Sequence, residues 1–598
     1  MPAVEIAPRR DAGPVSSNGH RPGERPDPGP GHADRRPWAL AVGGLLVVAF
    51  LLRVWGVEHG LPYAYNADEN AHFVTRAIGL FGHDLNPQYF VNPPAYTYLA
   101  HIVFAVWFGG REGVSEAFAA NPTEVWVIAR LLSALLGTVA VWLLYLAGAR
   151  LVDRRTGLLA AGIFAVAFLP VFYSHLALND VPTLAAVCLA LWGVAGVLRF
   201  GRRRDYVVAG VGLGLACATK YTGGIVLAPL VAAAGAQWAA PGGRPWATRG
   251  LALAGVAAIG AFLVANPYAV LDFGAFWDGL SHQSDASGDA AGKLGLTQDS
   301  GHLYYLWSFG WGLGYLPALF AAGGAARLWR DERRLVWLLV PAVVLFVLFM
   351  GSQERYFGRW LMPVFPFVCI LAAYAALELA DWGGRRRPAL RPTFIALAVV
   401  VVCGQGLVYS LHNGLVLSRE DTRNLARDWM VDNVPLGTKI VVEPVVPDQW
   451  AQDVGSPSPV TSNGNRWVKY PTSRSQIDPR TGVRLPGAGV VVNIEDFERV
   501  LRPELIDLFE EQGYCYVVVG STQRGRAEAE PEQAPGAIAY YAELERRSRV
   551  AYEASPYVEG ADPVEFNFDW TFDYYPLAYH RPGPVMTVHR LQGGQCAG

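Results

Sequence analysis

At 598 residues, with 52% hydrophobic and only 17% charged residues, the chain is too apolar for an ordinary soluble protein. The apolar residues fall in blocks of about 17 to 25 with almost no charges, the length that crosses about 30 Å of hydrocarbon as a helix. A net charge of -2 without a basic domain excludes an electrostatic role on nucleic acid.

Residues 1–37 begin with a Pro-, Gly- and Arg-rich stretch that has no apolar core and ends in no small-residue cleavage site, so they are expected to form a disordered tail. The apolar blocks that follow predict spans near 38–57, 124–150, 158–175, 181–199, 206–219, 222–238, 249–265, 303–327, 335–351, 361–380 and 393–411. Two of them, 206–219 and 222–238, are short and Gly-rich, which suits a hairpin that does not fully span. The count is therefore about eleven.

Orientation follows from the Lys/Arg bias of the short loops. Arg35 and Arg36, "DRRTG" (153–157), "RFGRRRD" (199–205), Arg244 with Arg249, "RDERR" (330–334) and "GGRRRP" (383–388) all fall on one side, whereas loop 266–302 carries five Asp and one Lys. The basic side is expected to be cytoplasmic. A multi-pass protein of the cell membrane results, with its N-terminus inside and everything after about 411 outside.

The first outer loop, 58–123, holds "YNADENAH" (65–72). A membrane-surface helix is expected over 67–82, with Asp68, His72 and Arg76 four apart on one face. A second is expected over 92–110, opening on Pro-Pro. Asp68 and Glu69 stand where the first helix begins, and acids there are favoured by the helix dipole and as caps. The same pair at a membrane face also suits catalysis. His72 reads as a structural histidine.

Other outer segments add polar residues. "YSHLALNDVP" (173–182) carries Asp180, "CATKYTGG" (217–224) carries Lys220, and "GSQERYFGRW" (351–360) carries Arg355, Tyr356 and Arg359 against the positive-inside trend. Arg130 lies one to two turns inside its span, and an ionisable group there is a functional-site candidate or, equally, a structural ion-pair partner. Group transfer from a phosphate ester needs both kinds of residue: a carboxylate to take the proton of an attacking hydroxyl, and cations to hold the departing phosphate. Bidentate Arg suits that phosphate. Asp68 and Glu69 also offer the oxygen ligands that a hard divalent cation takes, and metal use stays open.

From 412 to 598 the composition becomes that of an α/β domain, with "TRNLARDWMVDNVPLG" as a helix before the strand "TKIVVEP". "IEDFERVLRPELIDLFEEQG" before "YCYVVVGS" repeats the order, and "GPVMTVHRL" is a last strand. Cys188, Cys217, Cys369 and Cys403 lie in spans as apolar packers. Cys515 and Cys596 lie in the outer region, where a bridge can form. "FNFDWTFDYYPLAYH" (566–580) suits carbohydrate stacking and core packing alike.

"LPYAYNADENAHFVTRAIGLFGHDLNPQYFVNPPAYTYL", "ARLLSALLGTVAVWLLYLAGARLVDRRTGLLAA", "YSHLALNDVPTL", "GLGLACATKYTG" and "ERYFGRWLMPVFP" together resemble, in order and spacing, the GT-C-fold membrane glycosyltransferases that use polyprenyl-phosphate sugars. This group includes the protein O-mannosyltransferases and lipid A aminoarabinose transferases. Asn66-Ala67 stand where His-Pro is common in similar sequences. The resemblance implies a GT-C-like polytopic α-helical membrane protein with an extracytoplasmic α/β domain. It implies an inverting hexosyl- or pentosyltransferase that passes a sugar from a polyprenyl phosphate to an acceptor hydroxyl at the outer face. Asp68 is then the base, with Glu69 supporting it or positioning the acceptor. Asp180, Lys220, Arg355, Tyr356, Arg359 and Arg130 are the expected substrate-binding residues. No cofactor beyond the lipid donor substrate is implied; membrane lipids and a glycan, lipid or protein acceptor are the expected partners. The alternative is a lipid or sugar transporter or flippase without catalysis, which would favour repeats with broken helices near the midplane.

Overall fold

The computed structural model describes residues 32–82, 84–287, 294–295, 300–461, 464–470, 497–569 and 577–597. The expected tail at 1–31, the start of the second α/β helix at 494–496 and the aromatic residues 570–576 lie outside the described residues. The chain divides into two units, 1–45 and 46–598. The first is helical from His32 onward, and the second carries the features that follow.

Among the described residues, seven helical stretches are long and apolar enough to cross a membrane. The expected segments 158–175, 206–219, 222–238 and 303–327 are helical too, but each is short or interrupted. The first breaks at Ala167, which is extended between Arg154–Val166 and Phe168–Tyr173. Lys220 is extended between Arg203–Thr219 and the tight turn Tyr221–Val226, which leads into Leu227–Trp238. In the last, a π-helical turn, Gly310–Gly314, separates Gly301–Phe309 from Tyr315–Asp331.

Each interruption frees backbone groups that water cannot reach in hydrocarbon, so side chains must take over. At the Ala167 break, Arg53 donates to the Ala165 carbonyl at 2.9 Å and Ser410 to the Val166 carbonyl at 2.9 Å. At the Lys220 break, the Asn179 amide donates to the Thr219 carbonyl at 2.8 Å. At the π turn, Gln405 donates to the Gly310 carbonyl and accepts from the Tyr315 N–H, at 2.7 and 3.0 Å. The breaks are built features of the fold.

The glycines of Arg203–Thr219 explain its close packing. A Cβ on Gly212 would fall 2.3 Å from the Ala190 nitrogen, and one on Gly210 or Gly214 would fall 2.2 or 2.1 Å from the carbonyls of Ala254 and Ala258. Gly212 therefore faces helix Asp180–Phe200, while Gly210 and Gly214 face Arg244–Ala265. Small residues let backbones approach where lipid supplies no hydrophobic drive between helices.

After the apolar helix Arg391–Leu417, Asp421 caps Thr422–Asn433 by accepting the Arg423 N–H at 2.9 Å. The α/β region then forms one sheet of five strands: β1 (Lys439–Val442), β2 (Val468–Lys469), β3 (Tyr516–Gly520), β4 (Ser548–Ala554) and β5 (Met586–Leu591), in the order β2-β1-β3-β5-β4. β1 pairs in parallel with β2 and β3, and β5 pairs antiparallel with β3 and β4. All three strands expected from sequence are present. One core packs helices Glu504–Gln512 and Pro535–Arg547 against Val517, Val519 and Leu591; the other packs Met430, Trp450 and Trp467 against Ile440, Val442 and Val588.

The first outer loop inserts into the second core through Tyr63. The Tyr65 hydroxyl donates to Asn424 at 2.5 Å, and the Asn424 amide donates to the Leu61 carbonyl at 3.1 Å. The segment that leads to Asp68 is thus fixed from the C-terminal side.

Cys515, beside β3, is bridged to Cys596, which follows β5, with a sequence separation of 81. Closing a loop of that length removes unfolded-state entropy worth about 4–5 kcal/mol. Replacing both cysteines by serine should lower the unfolding midpoint of the purified protein, and a reductant should lower the parent's midpoint without affecting the variant's. Equal midpoints under oxidising conditions would show that the bridge contributes no stability.

Candidate functional site

The two adjacent acids face different surroundings. Asn66 caps the local helix, its side-chain oxygen accepting the Glu69 N–H at 3.1 Å, while Asp68 makes no cap bond. A π-helical turn, Glu69–Phe73, follows and passes into Val74–Gly79. Single π turns inside helices often occur at functional sites. Glu69 is fully buried, whereas the Asp68 side chain keeps 39% of its surface exposed.

Glu69 is satisfied inside the protein. Arg130 donates to both its oxygens, from Nε and Nη2, each at 2.8 Å, and the Ala177 N–H donates at 2.8 Å. Arg130 Nη1 donates to the carbonyls of Val57 and His59 at 2.7 and 2.9 Å. Sequence reasoning sets Arg130 at the substrate and Glu69 in the catalytic pair; the structure joins them to each other and buries both. Together they tie the end of the first span, the first outer loop and the turn after Tyr173 to helix Thr123–Leu151.

Asp68 points to a different set. Its Oδ2 accepts from Arg359 Nη2 at 2.6 Å, and His72 Nε2 lies 3.9 Å from its Oδ1. Arg359 lies 5.3 and 5.9 Å from the rings of Phe357 and Tyr173. His72 stacks on Tyr89 at 5.0 Å, and Arg76 lies 4.1 Å from the centre of the same ring. Lys220 is ion-paired to Asp180 and lies within the fields of Arg359 and Asp68. Four segments far apart in sequence therefore bring Asp68, Asp180, Lys220 and Arg359 together.

The helix breaks produce this convergence. Asp180 opens helix Asp180–Phe200, and Lys220 sits at the extended step that ends Arg203–Thr219. Arg359 belongs to the tight helical turn Gly358–Val364 before the long helix Phe365–Arg386. Arg355 and Tyr356 precede it on the same loop. The Arg355 N–H donates to the Ser287 carbonyl at 3.2 Å, and the Tyr356 ring lies 4.6 Å from that of Tyr304. Among the described residues, no three His, Cys, Asp or Glu side chains gather as a metal site.

Three participants escape the sequence reading. Asn66 carries a signal, since Asn with Glu three residues on is the spacing of a capping box. Asp569 carries a weak one, as an acid flanked by aromatic residues in "FNFDW"; it is buried, and it accepts from the Tyr304 hydroxyl at 2.7 Å. Tyr304 carries none, being one aromatic in an apolar helix.

Residues 122–268 match a family model described as dolichyl-phosphate-mannose-protein mannosyltransferase. The match bears out the resemblance to the protein O-mannosyltransferase group, and it covers Arg130, Asp180 and Lys220. No curated protein matches the sequence. Among solved structures, the chain is similar to the transferase ArnT from Cupriavidus metallidurans bound to undecaprenyl phosphate, with 14% identity over 94% of this chain and 98% of that one and a TM-score of 0.48. It is similar to the archaeal oligosaccharyltransferase AglB from Archaeoglobus fulgidus, in complex with an inhibitory peptide and a dolichol-phosphate, with 12% identity over 90% and 75% and a TM-score of 0.47. It is also similar to the mycobacterial arabinofuranosyltransferase AftD, with 17% identity over 94% and 40% and a TM-score of 0.43.

Breaking a buried ion pair leaves an uncompensated charge and costs about 3–5 kcal/mol. Glu69→Gln, which strands Arg130, should therefore lower the thermal midpoint in detergent well before any effect specific to turnover is seen. A variant with parent-like stability and lost activity would instead make Glu69 a substrate contact.

Proposed function

We propose that the protein transfers a sugar from a polyprenyl phosphate to an acceptor hydroxyl at the extracytoplasmic face of the membrane, with Asp68 as the general base. The observation that carries this reading is the Asp68–Arg359 contact at 2.6 Å, beside the Lys220–Asp180 pair. A half-exposed acid for the acceptor meets the cations a phosphate needs. The matched family is described by a dolichyl-phosphate-linked donor, which agrees with that chemistry.

In the proposed reaction the acceptor oxygen attacks the anomeric carbon and the bond from that carbon to the phosphate oxygen breaks. The sugar inverts, the proton passes to Asp68, and the phosphate leaves with the electron pair, still attached to its lipid. Arg359, Arg355 and Lys220 neutralise the charge that builds on the phosphate, with Tyr356 as a hydroxyl donor. Charges and dipoles held ready in this way account for most of the rate enhancement of many enzymes. Arg359 links the two halves. When it turns to the donor phosphate, Asp68 is released to accept a proton. Asp180 keeps Lys220 charged and aimed. Glu69 and Arg130 act from behind, fixing the backbone of Asp68. The Lys/Arg bias of the loops supports an inward N-terminus and an outward α/β domain. The acceptor class, whether glycan, lipid or protein, is set by surfaces beyond these residues.

The test uses a labelled polyprenyl-phosphate sugar with candidate acceptors and the purified membrane protein. Asp68→Asn preserves size and, because Asn66 is the cap, also preserves the helix. Transfer should fall about 10²–10⁴-fold, the usual worth of a general base, with donor still bound. Parent-like transfer by this variant would remove Asp68 from the chemistry. Arg355→Ala should weaken donor use far more than it lowers the thermal midpoint. Unchanged donor use in an unstable protein would reassign Arg355 to structure. A protein that moves the lipid across vesicles but never breaks the sugar–phosphate bond would be a transporter.

A further inference from the structure

The described part of the α/β domain reaches the cation loop at one place. Asp569 is 2% exposed and accepts from the Tyr304 hydroxyl at 2.7 Å. The Tyr304 ring lies 4.6 Å from that of Tyr356. Phe568 packs 6.0 Å from Phe357, which in turn lies 5.3 Å from the Arg359 guanidinium. The Gly358 N–H also faces the Asp569 carboxyl, and Arg359 lies within its field. Residues 568 and 569 therefore touch the loop at Phe357 and Gly358, directly before the cation that holds Asp68.

We propose that Asp569 is a positioning residue of the donor site: through Tyr304 and Gly358 it holds the 355–359 loop so that Arg359 meets the lipid-linked phosphate, and it does so best as a neutral acid. This rests on the sugar-transfer reading above.

The chemistry follows from the surroundings. The groups facing Asp569 are the hydroxyl of Tyr304, the rings of Tyr305 and Tyr356, and Arg359 with Asp68 beyond it. Burial pushes its carboxyl up to about 7, although the Tyr304 hydroxyl, the Gly358 N–H and Arg359 all pull the other way. Ionised, Asp569 would compete with the donor phosphate for Arg359. Protonated, it leaves that cation to the donor. A sugar phosphodiester keeps one negative charge throughout the neutral range, so its binding raises the Asp569 carboxyl further and takes up a proton. Donor affinity should then be full below about pH 7 and decline above it. A further rise of one unit corresponds to a loss of up to about tenfold.

The experiment measures donor KM and kcat for sugar transfer by the full-length protein between about pH 6 and pH 8.5. The parent's donor KM should climb through this range. Asp569→Asn, which still accepts from Tyr304 but cannot ionise, should give a flat and low KM. Asp569→Ala and Tyr304→Phe should raise donor KM about three- to tenfold at pH 6.5, by loss of the hold on the loop. Tyr304→Phe keeps the ring, and so tests the link even if the alanine variant misfolds. Parent-like pH dependence in Asp569→Asn together with parent-like KM in Tyr304→Phe would overturn the inference. If Asp68→Asn abolishes transfer in the same assay, only the role of Asp569 fails. If Asp68→Asn is also parent-like, Asp68 is not the base, and a parent protein that yields no transfer product at all overturns the transfer reading itself.

Discussion

The buried pair of Glu69 and Arg130 is the contact on which the placement of Asp68 depends. A carboxylate and a guanidinium taken out of water lose several kcal/mol of solvation each, and only close, fully hydrogen-bonded geometry offsets that. Here the geometry is close: two parallel bonds of 2.8 Å, an N–H on one side and two carbonyls on the other. Such a contact tolerates little displacement of either partner. It therefore fixes the backbone at residue 69 relative to the first long span and to the turn at 177. Asp68, one residue earlier, inherits that position while its own side chain stays in the wet half of the site. A polar anchor and a half-exposed acid can be neighbours because a helix sends consecutive side chains about 100° apart.

The interrupted helices serve the same end by different means. Straight spans would deliver their polar termini at the membrane surface and leave the outer third of the bundle apolar. The break at Lys220 instead admits backbone and side-chain polarity where Asp68, Asp180 and Arg359 gather, and those at Ala167 and Gly310–Gly314 admit it elsewhere in the bundle. Each break then needs its own partners, and Arg53, Ser410, Asn179 and Gln405 provide them. Asn179 is the most telling of these. It satisfies the Thr219 carbonyl just before Lys220 and sits just before Asp180, so one side chain sets the spacing of the Lys220–Asp180 ion pair.

How much of this was legible in the sequence depended on range. Membrane spanning and helix-then-strand order in the α/β domain rest on composition and period, and the outer-face placement expected of Asp68, Lys220 and Arg359 rests on charge bias, all of which are local signals. The helix interruptions were only half visible: Gly-rich and short segments gave warning at 206–238, while at Ala167 the breaker is Pro170, which has no N–H for the Val166 carbonyl and crowds it, inside a span predicted to run unbroken over 158–175. Pairing was not visible at all. Glu69 and Arg130 are 61 residues apart, and nothing in either neighbourhood says that they bond to each other and not to substrate. Asp569 was hidden for the same reason, since an acid among aromatic residues looks alike whether it stacks on sugar or reaches 265 residues back to Tyr304.

The question of why Asp68 and Glu69 stand side by side has a physical answer in the distribution of cations around them. Three basic groups serve three acids: Arg130 with Glu69, Lys220 with Asp180, and Arg359 with Asp68. The first pair is sealed and the second is nearly so. Only the third keeps its acid substantially open to solvent, so it is the pair an incoming anion can disturb. A phosphate arriving at Arg359 would meet a cation already charged and oriented, and would exchange one carboxylate for one phosphate with little change in net charge. Were the sealed and open pairs interchanged, an incoming anion would have to disrupt the anchor of the loop itself.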